Sequence, residues 1–348
     1  MRTVDYSDIL RGSTALAGMN YIPGDSTSDV DAPVFRLFRT YHDRRLQAAW
    51  EIHRWPDLCP VEKRYYRQVW SSGTTYAATD ERFDLPSGKY FQSMKGTNLN
   101  HAPTTAGVEN SEWWAECKNG YSASDWVTGT AYTVGQQVKD ALTGLYYQAH
   151  TAHTAGATLA GDLAANWGLL TAFNKYIAYE QTGQTAIGEY LQATNKDPRI
   201  TTQNIAYPFW LSQDGAQFNY NAPNVLWLYY RTRRPELKGE IFDADTIYAS
   251  GQQVYFVTSA GVGNFWTANA TTAAAESPAT TPGKWDVVEL PYFLRGYLIE
   301  GGFADWLTGD GRGDEGAGHE SFATDYLELE ADKLQRQQQQ VRRLMVAA

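Results

Sequence analysis

Short runs of alternating apolar and polar residues, separated by Gly, Pro, Asn or Asp, fill the middle of the chain. The run Leu145–His150 puts Tyr146 and Gln148 on one face of an extended backbone, and Tyr147 and Ala149 on the other. Such alternation is typical of β-strands, and the turn residues beside it are typical of hairpins. The pattern therefore predicts small β units through the middle of the chain.

This strand pattern occurs three times with its aromatic residues in register. Each copy begins with an aromatic residue, has a tyrosine six positions later, continues with two adjacent aromatic residues and closes with a tryptophan. Flat rings can fill the core of a β unit too small to assemble many aliphatic side chains. The rings expected in the three cores are Trp70 and Tyr76; Trp126, Tyr132 and Trp167; and Tyr248 and Trp285, with Trp113 closing the first copy.

The turn that follows the tyrosine differs between the copies. The second and third copies share Tyr-x-x-Gly-Gln-Gln-Val, with Gly135 and Gly251, whereas the first has Thr79 in place of the glycine. Glycine adopts positive φ angles at little cost, and other residues do not. We therefore expect a different turn in the first copy.

One ring of each adjacent aromatic pair should face the core of its module, which leaves the other outside. Phe91, Tyr147 and Trp266 are the candidate rings for contact with a sugar face or with another subunit. Packing is favoured over sugar binding, because the three modules are embedded within one chain and are not tethered by a linker.

The segment 171–240 does not repeat. Turn signals at Asp197-Pro198 and Asp214-Gly215 separate several apolar runs, of which Val225–Tyr230 is rich in residues that favour strands. This run predicts a central strand, and the segment predicts a small β-sandwich or sheet domain.

Helical patterns lie at the two ends of the chain. Asp31 and Pro33 offer an N-cap and a first-turn proline to a long helix. The segment VEKRYYRQVW after Cys59 predicts a second helix, so that Trp55-Pro56-Asp57 would be the turn of a helical hairpin. Basic residues are concentrated in this region.

A further helix is predicted from His319 onward, where neither Gly nor Pro occurs. Acidic residues fill its first half and basic residues its second half, an order that complements the helix dipole. Leu327, Leu334 and Val341, together with Leu344, form a narrow apolar seam. Such a seam requires a neighbour, either the body of the chain or another subunit, and we assign it to oligomer docking.

Together these patterns predict an α+β multidomain protein, with a helical body from the N- and C-terminal segments, three small β modules and a β-sandwich-like insert. At 348 residues the chain exceeds the size at which one core keeps growing. The expected segments are an N-terminal helical segment at 1–69, modules at 70–118, 119–170 and 241–290, the sandwich-like domain at 171–240, and a C-terminal helical segment at 291–348.

Charge and composition exclude several classes. The chain has 29 Lys and Arg against 39 Asp and Glu, a net charge of -10, which argues against a general binder of nucleic acid or anionic membrane. Cys59 and Cys117 make neither a disulfide framework nor a zinc pattern. The sequence also lacks a long apolar run and a signal-peptide pattern at its start. We expect a protein made in soluble form.

Candidate catalytic groups are scarce. His150 and His153 lack further metal ligands nearby, and the stretch GDGRGDEG lacks the ligand order of a calcium loop, so it predicts a flexible acidic linker. Because the segment 171–240 has few acidic residues, a glycosidase is the third and least favoured of our functional hypotheses. We expect no enzyme activity, metal or cofactor.

The order Trp…Tyr-x-x-Gly-x-x-Val…Tyr-Tyr…loop…Trp resembles the small chitin-binding-type carbohydrate-binding modules of families 5 and 12. The resemblance is good in the second copy and fair in the third. It implies β units of two or three strands whose exposed rings stack on sugars. The corresponding function is a polysaccharide-binding protein of the chitin type, with glycans as partners and a glycan hydrolase as a further attached activity.

Three longer segments together resemble the head-to-tail connector, or neck adaptor, proteins of tailed bacteriophages. They are YSDILRGSTALAG, FRTYHDRRLQAAWEIHRWPDLC, and LPYFLRGYLIEGGFADWL with YLELEADKLQRQQQQVRR. The resemblance implies a virion protein, made in the host cytoplasm and located at the neck, that forms a homo-oligomeric ring. Its implied partners are further copies of itself, the portal protein, other neck or tail proteins, and DNA that passes through the lumen without specific binding. We prefer this function over polysaccharide binding, and the leucine seam would then also serve portal docking.

Overall fold

The computed structural model describes residues 2–22, 30–201 and 203–346, and in the last helix it describes side chains as far as Leu334 and that of Arg336. The fold mixes helices with many small sheets. The described helices are α1 (Tyr6–Leu16), α2 (Ala32–Ile52), α3 (Leu159–Asn166), α4 (Arg295–Gly309) and α5 (Gly313–Val346).

The strands are short and numerous. They are β1 (Thr3–Val4), β2 (Val61–Tyr65), β3 (Thr75–Tyr76), β4 (Glu81–Asp84), β5 (Lys89–Ser93), β6 (Asn98–Leu99), β7 (Thr104–Thr105), β8 (Val108–Glu109), β9 (Trp114–Glu116), β10 (Ala131–Tyr132), β11 (Gln137–Lys139), β12 (Tyr146–Ala149), β13 (His153–Thr154), β14 (Trp167–Leu170), β15 (Tyr176–Ala178), β16 (Ile187–Thr194), β17 (Phe209–Leu211), β18 (Gly215–Phe218), β19 (Val225–Thr232), β20 (Glu240–Ile241), β21 (Gln253–Val257), β22 (Gly263–Ala268), β23 (Trp285–Val287) and β24 (Leu290–Pro291).

The chain divides into two compact units. Unit 1 comprises residues 1–58 and 234–348, and unit 2 comprises residues 59–233. The third module therefore belongs to the unit that contains both chain ends. The first two modules belong to unit 2, together with most of the segment that does not repeat.

Helices from both ends of the chain meet in the core of unit 1. As predicted, Asp31 is the N-cap of α2, and its carboxylate accepts a hydrogen bond from the backbone N–H of Val34 at 3.0 Å. Pro33 lies in the first turn of the helix. The residues of α2 that are buried are Phe35, Phe38, His42, Leu46, Ala49 and Trp50. They lie in one core with Ile9 and Leu10 of α1 and with Leu298 of α4.

Small residues let these helices approach closely. A Cβ added at Gly302 of α4 would lie 2.4 Å from Nε2 of His42. The imidazole of His42 forms hydrogen bonds with the hydroxyl of Tyr6 at 3.1 Å and with the hydroxyl of Ser13 at 2.9 Å. The Ser13 hydroxyl also lies 3.0 Å from the backbone carbonyl of Ile299. A polar group buried in this way requires hydrogen-bond partners, and Tyr6 and Ser13 of α1 supply them to His42.

The last helix begins earlier than predicted. α5 starts at Gly313 and not at His319, so the second half of GDGRGDEG is helical and the prediction of a flexible linker across all of it is wrong. Gly316 is buried where an added Cβ would meet the backbone of α4. Asp314 and Glu315 lie in the first turn of α5, where carboxylates stabilise a helix through its dipole.

The prediction of a helix for VEKRYYRQVW is also wrong. Val61–Tyr65 is strand β2, which pairs antiparallel with β19, with Val225 opposite Tyr65. The alternation of buried and less buried residues supports a strand here, because Arg64 and Tyr66 are buried and their neighbours are not. The guanidinium of Arg64 donates to the hydroxyl of Tyr230 at 2.6 Å, which gives this buried side chain a hydrogen-bond acceptor inside the sheet.

Two three-stranded sheets contribute to one core in unit 2. Their strand orders are β16-β19-β2 and β15-β18-β17, so the strand predicted over Val225–Tyr230 is central in its sheet. The buried side chains that they share include Ile177, Ala216 and Phe218 from one sheet and Tyr190, Leu226, Leu228 and Tyr230 from the other.

Each of the three modules has an antiparallel sheet of the same order. The sheets are β4-β5-β9, β11-β12-β14 and β21-β22-β23, with β20 added in parallel to the third. Their aromatic residues gather module by module, with Tyr76, Tyr132 and Tyr248 each buried beside the closing tryptophan of the same module. The ring centroids of Tyr and Trp are 5.4, 5.1 and 5.6 Å apart.

The hydroxyl of this tyrosine makes the same two hydrogen bonds in every module. It accepts from the backbone N–H, and donates to the backbone carbonyl, of the residue five positions earlier. That residue is Ser71, Val127 or Asp243. The tyrosine thereby closes the loop that leads into the module and forms hydrogen bonds with two partly buried backbone groups.

The first module keeps the turn that its missing glycine seemed to exclude. Thr79 has φ +73°, against +87° for both Gly135 and Gly251, and its N–H donates to the carbonyl of Ser93 as the glycines donate to Ala149 and Ala268. The expectation of a different turn is therefore wrong. The surrounding hydrogen bonds hold a threonine in a conformation that β-branched residues avoid.

Modules one and two exchange hydrogen bonds through a glutamine at the same position in each. The side chain of Gln92 donates to the carbonyl of Leu169 at 2.5 Å, and that of Gln148 donates to the carbonyl of Trp114 at 3.1 Å. Both glutamines are buried. Each module thus anchors on the closing strand of the other.

Relief of the strained turn gives a first testable prediction. Thr79→Gly should raise the free energy of unfolding by about 0.5–1 kcal/mol, because glycine adopts φ +73° without strain. The reverse change, Gly251→Ala, should lower it by about 1 kcal/mol, since an added Cβ there meets no atom and only the backbone conformation matters. Urea titrations of both variants measure this, and equal signs for the two changes would contradict it.

The close approach of α2 and α4 gives a second prediction. Gly302→Ala should destabilise the protein by about 1–3 kcal/mol despite the better helix propensity of alanine, because the new Cβ would overlap with His42. Gly318→Ala is the matched control in α5, where an added Cβ meets nothing, and it should stabilise by about 1 kcal/mol. Thermal unfolding followed by circular dichroism separates the two, and a stabilising Gly302→Ala would count against this packing.

The buried histidine predicts a pH dependence. Burial lowers the pKa of His42 from 6.5 to about 3, although the charge of Asp305 opposes this shift. Between these values the unfolded chain binds one proton more than the folded protein, so stability falls as pH falls through 6.5, by up to about 1.4 kcal/mol per pH unit from this residue.

His42→Gln should therefore be less stable at pH 7 and show a shallower loss of stability between pH 6.5 and 4.5. His53→Gln is the control, because His53 is exposed. The slopes come from urea titrations at each pH. An unchanged slope in His42→Gln would show that this histidine does not carry the effect.

Candidate docking surface

Two of the three candidate sugar-stacking rings are buried, and the third is half-buried. Phe91 is 2% exposed, Tyr147 is 8% exposed, and Trp266 is half-buried against its own module core. The other ring of each pair does not take their place, since Tyr90 and Phe265 are buried and Tyr146 is half-buried. The expectation that one ring of each pair remains outside is therefore wrong for the first pair, while in the other two pairs the outer ring is only partly accessible.

Both rings are covered because each central strand lies between two cores. One ring packs inside the module and the other packs against the structure that carries the module. Tyr90 stacks on Phe173 with centroids 4.8 Å apart, in the core of the unit 2 sheets. Phe265 lies 4.6 Å from the ring of Tyr6 in the helical core of unit 1. Tyr146 packs at the contact between the first two modules.

The closing tryptophan of the first module is Trp114 and not Trp113. Trp114 is fully buried, lies opposite Ser93 at the start of β9, and donates from its indole N–H to the carbonyl of His101 at 2.7 Å. Trp113 is half-buried at the edge of this core. Its ring stacks on the imidazole of His101 at 3.8 Å and lies 4.6 Å from the ammonium of Lys95. Its ring is thus already occupied by neighbouring side chains.

The groups considered for catalysis are engaged elsewhere. His150 is buried, and its ring forms a hydrogen bond with the hydroxyl of Thr151, while the ring of His153 packs edge-on against Trp167. Acids of the insert form ion pairs, namely Glu180 with Arg233, Glu189 with Arg231, Asp197 with Arg199, Glu236 with Lys238, and Glu240 with Arg36 and Arg39. Among the residues that the structure describes, no group of three or more His, Cys, Asp or Glu is arranged to hold a metal ion.

In the part of the chain that the structure describes, no helix is long and apolar enough to cross a membrane.

The predicted docking seam of α5 is used within the chain. Leu327 is 5% exposed in the core of unit 1, and Leu334 packs against the same core. The seam therefore meets the body of the chain, and its assignment to an oligomer contact is wrong for these two residues. The side chains of Val341 and Leu344 lie outside the described residues.

A second apolar row runs along a different face of α5. Phe322 is 56% exposed, and Tyr326 and Leu329 are each 47% exposed. Their spacing of four and then three residues places them on one face of the helix. Together with Glu300 and Asp325 they line a groove of about 380 Å³. We call Phe322, Tyr326 and Leu329 the α5 stripe.

The stripe carries uncompensated negative charge. Glu320 pairs with Arg45 at 2.5 Å and Glu330 pairs with Lys333 at 2.6 Å. Asp325, Glu328 and Asp332, in contrast, form no ion pair with any residue whose side chain is described. The surface is thus a row of large apolar side chains near carboxylates that pair with none of the described side chains, which suits a partner that is both apolar and basic.

Sequence reasoning missed the stripe because it searched α5 for a single heptad seam. The signal was present, since Phe322 and Leu329 are seven positions apart with Tyr326 between them. Periodicity marks both apolar rows, and only the packing of α4 against α5 decides which of them is covered.

No family model, curated protein or solved structure matches this chain.

Proposed function

We propose that this protein is a structural component of a tailed-bacteriophage virion, a neck adaptor that forms a ring, docks to the portal protein and joins it to the tail. In this proposal the chain is an α+β multidomain subunit. A helical body from both chain ends supports the ring, and three small β modules and a sandwich-like insert decorate it.

The observation that carries the proposal is the α5 stripe on a helix of 34 residues. Such a helix is about 51 Å long, whereas α4, with 15 residues, is about 22 Å long. α4 can therefore cover less than half of α5. Large exposed apolar and aromatic residues in a row are characteristic of protein interfaces and are uncommon on surfaces that only meet water.

The burial of the module rings also favours a structural role. These rings pack inside the module or anchor it to the unit that carries it. They therefore stabilise the module and do not form a sugar-binding face. What the modules expose instead are aliphatic side chains in loops and short strands, among them Val108, Leu142 and Ile247. Such side chains suit contacts with other neck or tail proteins.

Polysaccharide binding loses its main support for the same reason. A sugar ring requires an open aromatic face, and Phe91 and Tyr147 are buried. The acidic net charge agrees with a lumen through which DNA passes without binding, because like charges repel the phosphate backbone. We therefore prefer the ring-forming neck adaptor over a polysaccharide-binding protein.

Electron microscopy and co-sedimentation test the proposal. Negative-stain images of the purified protein, with and without portal protein, should contain rings, and gold-labelled antibodies should mark the neck of virions. The variant Phe322→Ser/Tyr326→Ser/Leu329→Ser should lose rings or portal binding by at least tenfold in apparent affinity.

Leu142→Ser is the control, since Leu142 is an apolar residue in a module hairpin and, at 96%, is even more exposed than the stripe residues. It should leave ring formation unchanged. A protein that stays monomeric with portal protein present, and that a chitin column retains, would overturn the proposal in favour of polysaccharide binding.

A further inference from the structure

The α5 stripe requires an occupant that is both apolar and basic, and the same helix contains such a segment. From Gly313 to Asp332 the sequence has no Lys or Arg, and its acids are Asp314, Glu315, Glu320, Asp325, Glu328, Glu330 and Asp332. From Lys333 to Val346 it has no acid, and its bases are Lys333, Arg336, Arg342 and Arg343. The helix is divided into an acidic half and a basic half.

The basic half also has apolar residues beside its charges. Val341 and Leu344 flank Arg342 and Arg343, and Met345 and Val346 follow. This composition complements the stripe, which offers Phe322, Tyr326 and Leu329 near carboxylates that pair with none of the described side chains. Opposite charges bordering apolar rows are the usual means by which helices select a partner and its register.

The basic half cannot reach the stripe of its own chain. Gly313–Val346 is one helix, so Arg343 lies 17 residues, or about 26 Å along the axis, from Tyr326. A continuous helix does not fold back on itself. A segment of this composition that covers the stripe must therefore come from another molecule.

We propose that the occupant is a second copy of this chain, and that the basic end of its α5, residues 336–346, lies along the α5 stripe of its neighbour. The contact is heterologous, because each copy gives its basic end to one neighbour and its acidic stripe to the other. Repetition of such a contact closes a ring when the rotation between copies permits. The inference thus rests on the proposed ring and specifies one of its interfaces.

Charge exchange tests this contact directly. The variant Asp325→Lys/Glu328→Lys should lower the self-association constant of the full-length protein at least tenfold, and so should Arg342→Glu/Arg343→Glu. Combining all four changes should restore association to within about threefold of the original, because the charges are opposite again. Sedimentation velocity over a range of protein concentrations, at 50 and 500 mM NaCl, measures each constant, and high salt should weaken the original contact.

Two controls keep the outcome interpretable. Asp245→Lys/Asp286→Lys changes the same charge on exposed residues outside α5 and should leave association unchanged. Circular dichroism of each variant reports whether the helices are retained, and recovery in the fourfold variant shows that a loss in either parent was not a folding defect. Association that ignores both reversals, or a fourfold variant that fails to recover, overturns the inference.

The test separates this inference from the proposed function. Rings that form equally well with reversed charges would retain the neck adaptor proposal and remove this interface. Charge-dependent pairs or chains that never close and never bind portal protein would support the interface and count against the neck adaptor. A protein that remains monomeric at 100 µM without portal would overturn the inference.

Discussion

The close contact of α1, α2 and α4 around His42 is the interaction on which the helical unit depends. A neutral imidazole lies in a space that only Gly302 leaves open, and Tyr6 and Ser13 satisfy both of its nitrogens. This contact joins residues from the start of the chain to residues near its end. Because α5 packs on α4, the position of the long helix and of its exposed stripe follows from this small buried site.

The β modules follow a different principle, in which one strand serves two cores. Adjacent side chains of a strand point to opposite sides, so an aromatic pair can fill the module with one ring and hold the carrying structure with the other. Modules one and two use Tyr90 and Tyr146 for this second purpose, and module three uses Phe265. A module embedded in this way leaves no aromatic ring of the pair fully open to a ligand. The same repeat attached through a flexible linker would leave one face open.

Sequence patterns predicted what is local and failed where distant parts of the chain decide. The cap at Asp31, the central strand β19 and the register of the module tyrosines all follow from neighbouring residues. The strand at Val61–Tyr65 requires a partner more than 150 residues away, and its short run of charged residues resembles a helix until that partner is known. Trp113 and Trp114 are adjacent, so the sequence alone did not show which of the two tryptophans closes the first module. A shift of one residue along a strand moves a side chain to the opposite face of the sheet.

The candidate surface shows the same division. Both apolar rows of α5 are visible in the sequence, yet choosing the free one requires knowledge of which side α4 occupies. Thr79 is a further example, because the hydrogen bonds around it, and not its own preference, impose the positive φ angle.

The repeated bond of the module tyrosine has a consequence for how the three copies could diverge. Its hydroxyl serves an N–H and a carbonyl of the main chain, so the partner residue is free to change and is Ser, Val or Asp in the present copies. The tyrosine itself has no such freedom, since phenylalanine would remove both hydrogen bonds. After gene duplication, this tyrosine would therefore be retained while the neighbouring positions change. Its spacing from the other aromatic residues could then identify diverged copies of the module in other chains.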